Sequence, residues 1–375
     1  MQQRKSSYED LRRSVVAKIA RAPVDLNVVV MPDFFLDHVS TFGFDTRRLV
    51  RKVLAVASRG GGEIPDVQQS LEVGGNAAIC ALALARLGAT VQPMMKTDAL
   101  GLLLMRHFYG GSRVNLDRIK LTGSLTPTTI LEVQRRDGST NIMLGDSSHV
   151  RPFSFEDLDT QDLDTIKKSH YVCVFNWLYN EKGTDLSHGV FQYCQENSRA
   201  VTFFDAADPT PRANELPELN RKVLRRGLID LLGLNENEAL IFARLYNRKL
   251  KPSASSVLEA GKIVSANTGA KVYLHTADYS ASIKDVDAVV VPAFSVKPRR
   301  GTGAGDSWNA AIMVADRLGL SEEERLLFAN AVGGRYVSNP NRVYSTLPEM
   351  VEFLENPVVR LKRVKPARRG NPPCD

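Results

Sequence analysis

No apolar stretch in this 375-residue sequence is long enough to cross a bilayer. Its opening, MQQRKSSYEDLRRSVVAKIARAP, lacks the apolar core of a secretory leader, and Glu9 and Asp10 argue against a transit segment. A cytoplasmic protein with no membrane partner is expected. Cysteine is scarce: Cys80, Cys173, Cys194 and Cys374 stand far apart, with no close pair of the kind that grips zinc. The six histidines form no short ligand motif, which argues against a structural transition-metal site. Aromatics make up 7% of the chain and do not interleave with basic residues as nucleic-acid readers require. The net charge of +7 is concentrated near the two ends, in LRRSVVAKIAR and RLKRVKPARRGNPPCD, and reads as solvated surface and not as a nucleic-acid footprint. Such a surface also attracts phosphorylated small molecules.

The length fits one large domain, or one domain with an accessory piece, and the 43% hydrophobic and 24% charged content is that of an ordinary globular protein. A helix is expected from near Ser7, with Leu11, Val15, Val16 and Ile19 on one face. LNVVVM reads as a buried strand ended by Pro32, and GGNAAICALALARLGA as a helix that stops at Gly88. TPTTILEVQRRDGSTNIMLG carries the strongest antiparallel signal, a hairpin turning at Asp137-Gly138. Beyond residue 150, HYVCVFNWL, RAVTFFDAA, LIDLLGLN, AKVYLHTA and DAVVVPAF are short apolar runs, most of them separated by helix-length segments. That texture predicts right-handed βαβ units and a mostly parallel sheet covered on both faces. The expected division is an N-terminal helical extension over 1–26, an α/β domain over 27–358 and a basic, disordered tail over 359–375.

Between Arg299 and Ala311, RRGTGAGDSWNAA places Gly301, Gly303 and Gly305 ahead of a helix expected to run to about Leu318. Without Cβ atoms the backbone can turn several N–H groups toward one point. Together with the helix dipole, those groups form a site for phosphate or for developing negative charge. Asp306 falls in the first turn. It reads either as an N-cap or as a carboxylate that takes the proton of a substrate hydroxyl while the N–H groups hold the phosphoryl group under attack. No Lys-Ser or Lys-Thr pair ends the run, so it is not a Walker A loop, and its third glycine comes one residue too early for a dinucleotide fingerprint.

Four elements in this order resemble the PfkB carbohydrate-kinase family, the ribokinase-like kinases: GGNAAICALALARLG, FDAADPTPR, LNENEA and GTGAGD. Taken alone, LNENEA reads equally as a capping box and GGN as a tight turn. The resemblance spans about residues 27–350 and implies a three-layer α/β sandwich whose mostly parallel sheet carries a small β-sheet lid, drawn from about 33–45 and 112–145. It implies a phosphotransferase that acts on a hydroxyl of a sugar, nucleoside or sugar phosphate, leaning to a pentose-type acceptor, with magnesium and ATP as cofactors. Asp306 would be the catalytic base, and Gly303, Ala304 and Gly305 the anion hole. Asn235 and Glu238 would organise magnesium through water, with Asp205 near the same phosphates and Thr302, His275 and Asn330 on the nucleotide side. Gly74, Gly75, Asn76 and Asp37 would bind the acceptor, Asp33 being the fallback for Asp37. The lid would close over the acceptor and could join two copies as a homodimer.

Some positions depart from the family. Ile79 stands where many members place a second sugar-binding asparagine, and Pro32 where a glycine is usual. Arg300 replaces an acidic residue before the glycine run; with Arg299 it would grip a phosphate on the acceptor or the donor. His275-Thr276-Ala277 replaces the purine-side Thr-x-Gly, which keeps ADP or another nucleotide open as donor. The rival to an enzyme is a nucleotide- or sugar-binding regulator of the same fold.

Overall fold

Apolar runs become strands and the stretches between them become helices, in the alternation the sequence predicts. The computed structural model describes residues 2–20, 23–135, 138–145, 152–299, 302–339, 343–356 and 359–362. After a helix over Gln2–Ile19 comes β1 (Asn27–Met31), then β2 (Phe35–Asp45), β3 (Gln68–Gly74) and β4 (Thr90–Pro93). Next are β5 (Thr126–Arg135), β6 (Gly138–Gly145), β7 (Tyr171–Phe175) and β8 (Val201–Asp205). Then come β9 (Leu231–Leu234), β10 (Lys271–His275), β11 (Tyr279–Lys284) and β12 (Asp287–Pro292), before two short strands, Phe294–Ser295 and Arg360–Leu361.

Eight strands form one sheet in the order β12-β11-β10-β9-β8-β7-β1-β4. From β10 to β4 all neighbours are parallel, and β11 and β12 add an antiparallel edge. Successive side chains of a strand point to opposite faces, so β1 feeds two cores. Val28 and Val30 join the helices Asn76–Arg86, Ala304–Arg317 and Glu322–Ser338. Val29 and Met31 join the helices Gly183–Asn197, Glu236–Arg244 and Val257–Thr268. The result is a three-layer α/β sandwich. β11 escaped the sequence reading because YSASIK is short, small and polar, with little apolar alternation.

The other four strands form a separate sheet, β3-β2-β5-β6. The sequence reading drew this lid from 33–45 and 112–145, and the structure redraws it. Gln68–Gly74 adds a third strand, and residues Val114 and Lys120 instead bridge to Val91 and Lys96 on the edge of the main sheet. QQSLEVG hides its strand character because its first five residues are polar or solvent-facing, with only Val73 and Gly74 buried. Asp137 of the expected turn lies outside the described residues, and Arg135 pairs with Gly138 to close the hairpin. A helix over Thr46–Ser58, capped by Asp45, rides on the lid and packs Leu49 against Phe42 and Val133.

The N-terminal helix lies against Glu322–Ser338 and Leu347–Glu355. Val15 and Ile19 enter the core, Arg12 donates to the carbonyls of Leu354 (2.9 Å), Asn356 and Val359 (both 3.1 Å), and Lys18 pairs with Glu324 at 2.6 Å. Arg360 and Leu361 pair with Ser295 and Phe294 as a short antiparallel ladder. Ordered structure therefore continues past the expected boundary at 358. Residues 363–375 of the predicted tail lie outside the described residues.

Candidate active site

The parallel strands deliver one polar residue after another along their C-terminal edge. Across the sheet these are His275 (β10), Asn235 (after β9), Asp205 (β8), Asn176 (after β7), Asp33 (after β1) and Lys96 (after β4). Open α/β sheets bind ligands along this edge.

Onto the middle of the row comes the helix Ala304–Arg317. Gly303 caps it with φ +81°, a left-handed conformation that favours glycine; a Cβ there would also meet Tyr336 Oη at 2.4 Å. The first N–H groups of the helix have no carbonyl within it, so residues 304–306 present donors to the row below. Asp306 is buried in this first turn, and its Oδ1 accepts from Asn76 Nδ2 at 2.9 Å. Burial, with Asp205 and Asp33 adding negative charge, pushes the Asp306 carboxyl well above the ordinary range, and the Asn76 amide opposes the shift. Such a group is a stronger base than a solvated aspartate.

Asp205 is held by Ala207 N (3.0 Å) and Asn309 Nδ2 (2.8 Å). Beside it, Asn235 and Glu238 form a reciprocal capping box: Asn235 Oδ1 accepts from Asn237 N and Glu238 N, while Asn235 N and Nδ2 donate to Glu238 at 2.8 and 2.7 Å. The cap and the functional candidate are thus one feature. Glu238 is buried, and burial, then Asp205, then Asp208 and Asp306 raise its pKa well above normal; burial raises that of Asp205 too. Repulsion of this kind between buried carboxylates is relieved by a bound cation.

Both glycines of the pair explain themselves sterically. A Cβ on Gly75 (φ +90°) would sit 2.7 Å from Asp33 Oδ2, and one on Gly74 would sit 2.0 Å from Asp37 Oδ1. Each leaves room for one carboxylate. Asp33 accepts from Ala77 N at the start of a helix (3.1 Å) and from Asn176 Nδ2 (2.8 Å). Asp37 stands on the lid opposite Glu72. Burial raises Asp33 to about 6, against the hydrogen bonds from Asn176 and the start of the helix; burial, then Glu72 and Asp33, raise Asp37 to about 7. A cleft open to solvent runs past Asp33 between Phe34, Phe35, Lys96, Phe153, Asn176 and Tyr179. The rings of Phe35 and Tyr179 meet edge to face at 5.7 Å.

Several expected site residues are placed differently. Asn330 is committed to the core: its Oδ1 accepts from Trp308 Nε1 (2.9 Å), and its Nδ2 donates to the carbonyls of Val291 and Pro292. It braces the helix Ala304–Arg317 against β12, so its side-chain amide is engaged within the protein. His275 packs under Gly305, whose Cβ would lie 3.0 Å from its Cε1, and burial lowers its pKa to about 4, so it stays neutral near pH 7. Thr302 gives its carbonyl to Tyr336 Oη and accepts at Oγ1 from Asn141 of the lid. Arg299 is exposed, and Arg300 lies outside the described residues. Asp33, the fallback, is tied to the helix that also bears Asn76, so it lies closer in the bonding network to Asp306 than Asp37 does.

Sequence reasoning missed Asn176 and Asn309. Each is buried and leaves its Oδ1 without a partner among the described residues. Asn309 follows Asp306 by three positions on one helix face, a signal available in the sequence. Asn176 is visible only as the residue after a strand, adopting φ +50°. Lys96 lacked any signal of its own.

The profile of the pfkB family carbohydrate kinases matches residues 38–349. The chain is similar in structure to Arabidopsis thaliana ribokinase complexed with ribose and ATP (TM-score 0.67, 16% identity, covering 88% of this chain and 99% of that one). It is also similar to adenosine kinase from Sinorhizobium meliloti (TM-score 0.64, 18% identity, 88% and 99%). A third similar structure is an E. coli protein in complex with ATP and Mg2+ (TM-score 0.66, 15% identity, 88% and 98%). At these identities the structural likeness speaks to the fold. No curated protein matches in sequence, and among the described residues no helix is long and apolar enough to cross a membrane.

Proposed function

The chain belongs to the pfkB family of carbohydrate kinases, and from that footing we propose that Asp306 deprotonates an acceptor hydroxyl that attacks the terminal phosphate of ATP. The protein is a phosphotransferase that acts on a hydroxyl group, of the sugar or nucleoside kinase kind. One observation carries the finer reading. The hydrogen bond from Asn76 to Asp306 joins residues 230 positions apart, so the double-glycine segment and the glycine run share one site. Asp306 takes the hydroxyl proton as the oxygen forms its bond to phosphorus and the bond to the departing nucleotide diphosphate breaks. The N–H groups of Gly303 to Gly305 hold the charge that spreads over the transferred phosphoryl oxygens. Asp33 and Asn76 orient the acceptor, with Asp37 closing from the lid.

Magnesium fits the donor side. Asp205 and Glu238 offer buried carboxylate oxygens that, among the described residues, are held by backbone and side-chain amides of Ala207, Asn309 and Asn235. Such a pair would suit a cation that keeps its waters and leans on one or two carboxylates plus phosphates. Bound there, the ion would neutralise phosphate charge. The acceptor reading is a pentose carrying a flat base: the aromatic walls of the cleft, Phe34, Phe35 and Tyr179, support a nucleoside over a bare pentose. The lid is the reading for a homodimer interface. Leu71 and Leu144 are 56% exposed and fall in one row across it through His38 and Thr129.

The test is phosphoryl transfer by purified protein with magnesium and ATP or ADP, against panels of pentoses, hexoses, nucleosides and their monophosphates. Transfer by wild type and not by Asp306→Asn supports the reading. Equal transfer by both overturns the base assignment. Light scattering of the wild type and of Leu144→Glu reports on the dimer.

A further inference from the structure

Lys96 ends the row of strand-end residues at the acceptor side, because β4 is the edge strand beyond β1. Its side chain is only 14% exposed, and it lines the cleft. An ammonium group has three N–H donors. Two are engaged among the described residues, by Pro152 O at 2.7 Å and Asp157 Oδ1 at 2.8 Å, and Nζ stands 5.6 Å from the centre of the Phe153 ring. Asp157 is fixed in turn by Ser154, whose N–H and hydroxyl both donate to its Oδ2. The third N–H has no hydrogen-bond partner among the described residues, and Lys96 lines the cleft.

The charges decide what it can receive. Asp157 already offsets the ammonium, and Asp33, buried in the same cleft, adds a second carboxylate. A phosphate or carboxylate entering beside Lys96 would meet more negative than positive charge, whereas a neutral oxygen or ring nitrogen would meet a charged donor. We propose that Lys96 is a specificity-determining residue, whose free N–H donates to an uncharged acceptor atom on the far end of the substrate, such as the base of a nucleoside, while Asp157 sets the cleft against substrates that carry an anion there. This rests on the proposed function, in which the cleft takes the phosphoryl acceptor.

The experiment uses the full chain with magnesium and ATP, and compares kcat/KM for ribose, uridine and orotidine, a uridine bearing a carboxylate on its base. Lys96→Met should lower the uridine-to-ribose ratio roughly ten- to a hundredfold, the range for a hydrogen bond to a charged group, chiefly through KM. Lys96→Arg should recover part of that ratio. Asp157→Asn, which keeps the shape and frees the ammonium charge, should raise the orotidine-to-uridine ratio at least tenfold. A loss in Lys96→Met shared equally by ribose and uridine would reduce Lys96 to a structural pin. An orotidine-to-uridine ratio unmoved in Asp157→Asn would remove the charge argument. Calorimetric titration of uridine into wild type and Lys96→Met separates this idea from the kinase reading. Without turnover, a tenfold weaker affinity in the variant still supports Lys96, and equal affinity or no uridine binding at all overturns it.

Discussion

On the donor side of the site, Glu238 is held by Asn235, three residues away, and Asp205 takes one of its bonds from Ala207, two residues away. On the acceptor side, Asp33 takes its bonds from Ala77 and Asn176, 44 and 143 positions away, and its neighbour Asp37 arrives on a separate sheet. In the proposed reading the donor side is thus largely preformed by local turns, while the acceptor side exists only when the lid, the helix Asn76–Arg86 and the central sheet are docked together. A perturbation of docking should therefore change acceptor binding and leave nucleotide binding nearly untouched.

The strongest challenge comes where the halves meet. Asp306→Asn should lower kcat by roughly a hundred- to ten-thousandfold, the usual worth of a general base, while nucleotide affinity measured by calorimetry stays within twofold. A nucleotide affinity that falls with turnover would merge the two halves. Next is Gly74→Ala, whose new Cβ, placed 2.0 Å from Asp37 Oδ1, must displace that carboxylate. It should raise the acceptor KM about tenfold, within the few kcal/mol that a displaced charged contact can represent, with donor KM unchanged.

Arg212→Ala is a milder test from farther away. Arg212 donates to the carbonyls of Trp177 (2.6 Å), Leu178 (3.2 Å) and Asn180 (2.8 Å) and lies over the Trp177 ring at 4.3 Å, so it braces the loop that carries Tyr179 into the cleft. Loss of that brace should raise the acceptor KM severalfold and lower the melting temperature. A donor KM that moves as much would break the comparison.

The smallest effect is in pH. Burial raises Asp33 to about 6 and Asp37 to about 7, above the ordinary value of 3.8. A raised folded-state pKa means that the folded chain binds protons more tightly than the unfolded one. Its stabilising effect is then full below about pH 4 and is lost as pH climbs through 6 to 7. The melting temperature of the ligand-free protein should therefore carry a downward contribution across that window. Asp33→Asn should make the decline shallower, and an identical pH profile would argue that these carboxylates ionise freely.

The same contrast explains what could be read in advance. Gly303, Asp306, Asn235 and Glu238 lie in contiguous motifs, where one turn supplies both cap and chemistry, so their spacing alone was informative. The alternation of apolar runs likewise exposed the three layers. Asn176, Lys96 and the choice between Asp33 and Asp37 depend on which strands lie side by side, and strand order is set by long-range packing that leaves no local trace. The packing of Asn330 was equally hidden. Nothing in its neighbourhood in sequence shows that Trp308 and two carbonyls of β12 would claim its amide. Strand β3 was hidden because most of its side chains face solvent.

The row of strand-end residues is also a ruler. Neighbouring strands lie about 4.8 Å apart, so the order β8, β7, β1, β4 spaces at that pitch the strand ends that lead into Asp205, Asn176, Asp33 and Lys96. Because the pitch belongs to the backbone, a change of side chain can alter what each mark recognises but not how far apart the marks stand. The spacing of those ends is fixed by hydrogen-bonded strands, and only the chemistry at each is open to change one residue at a time.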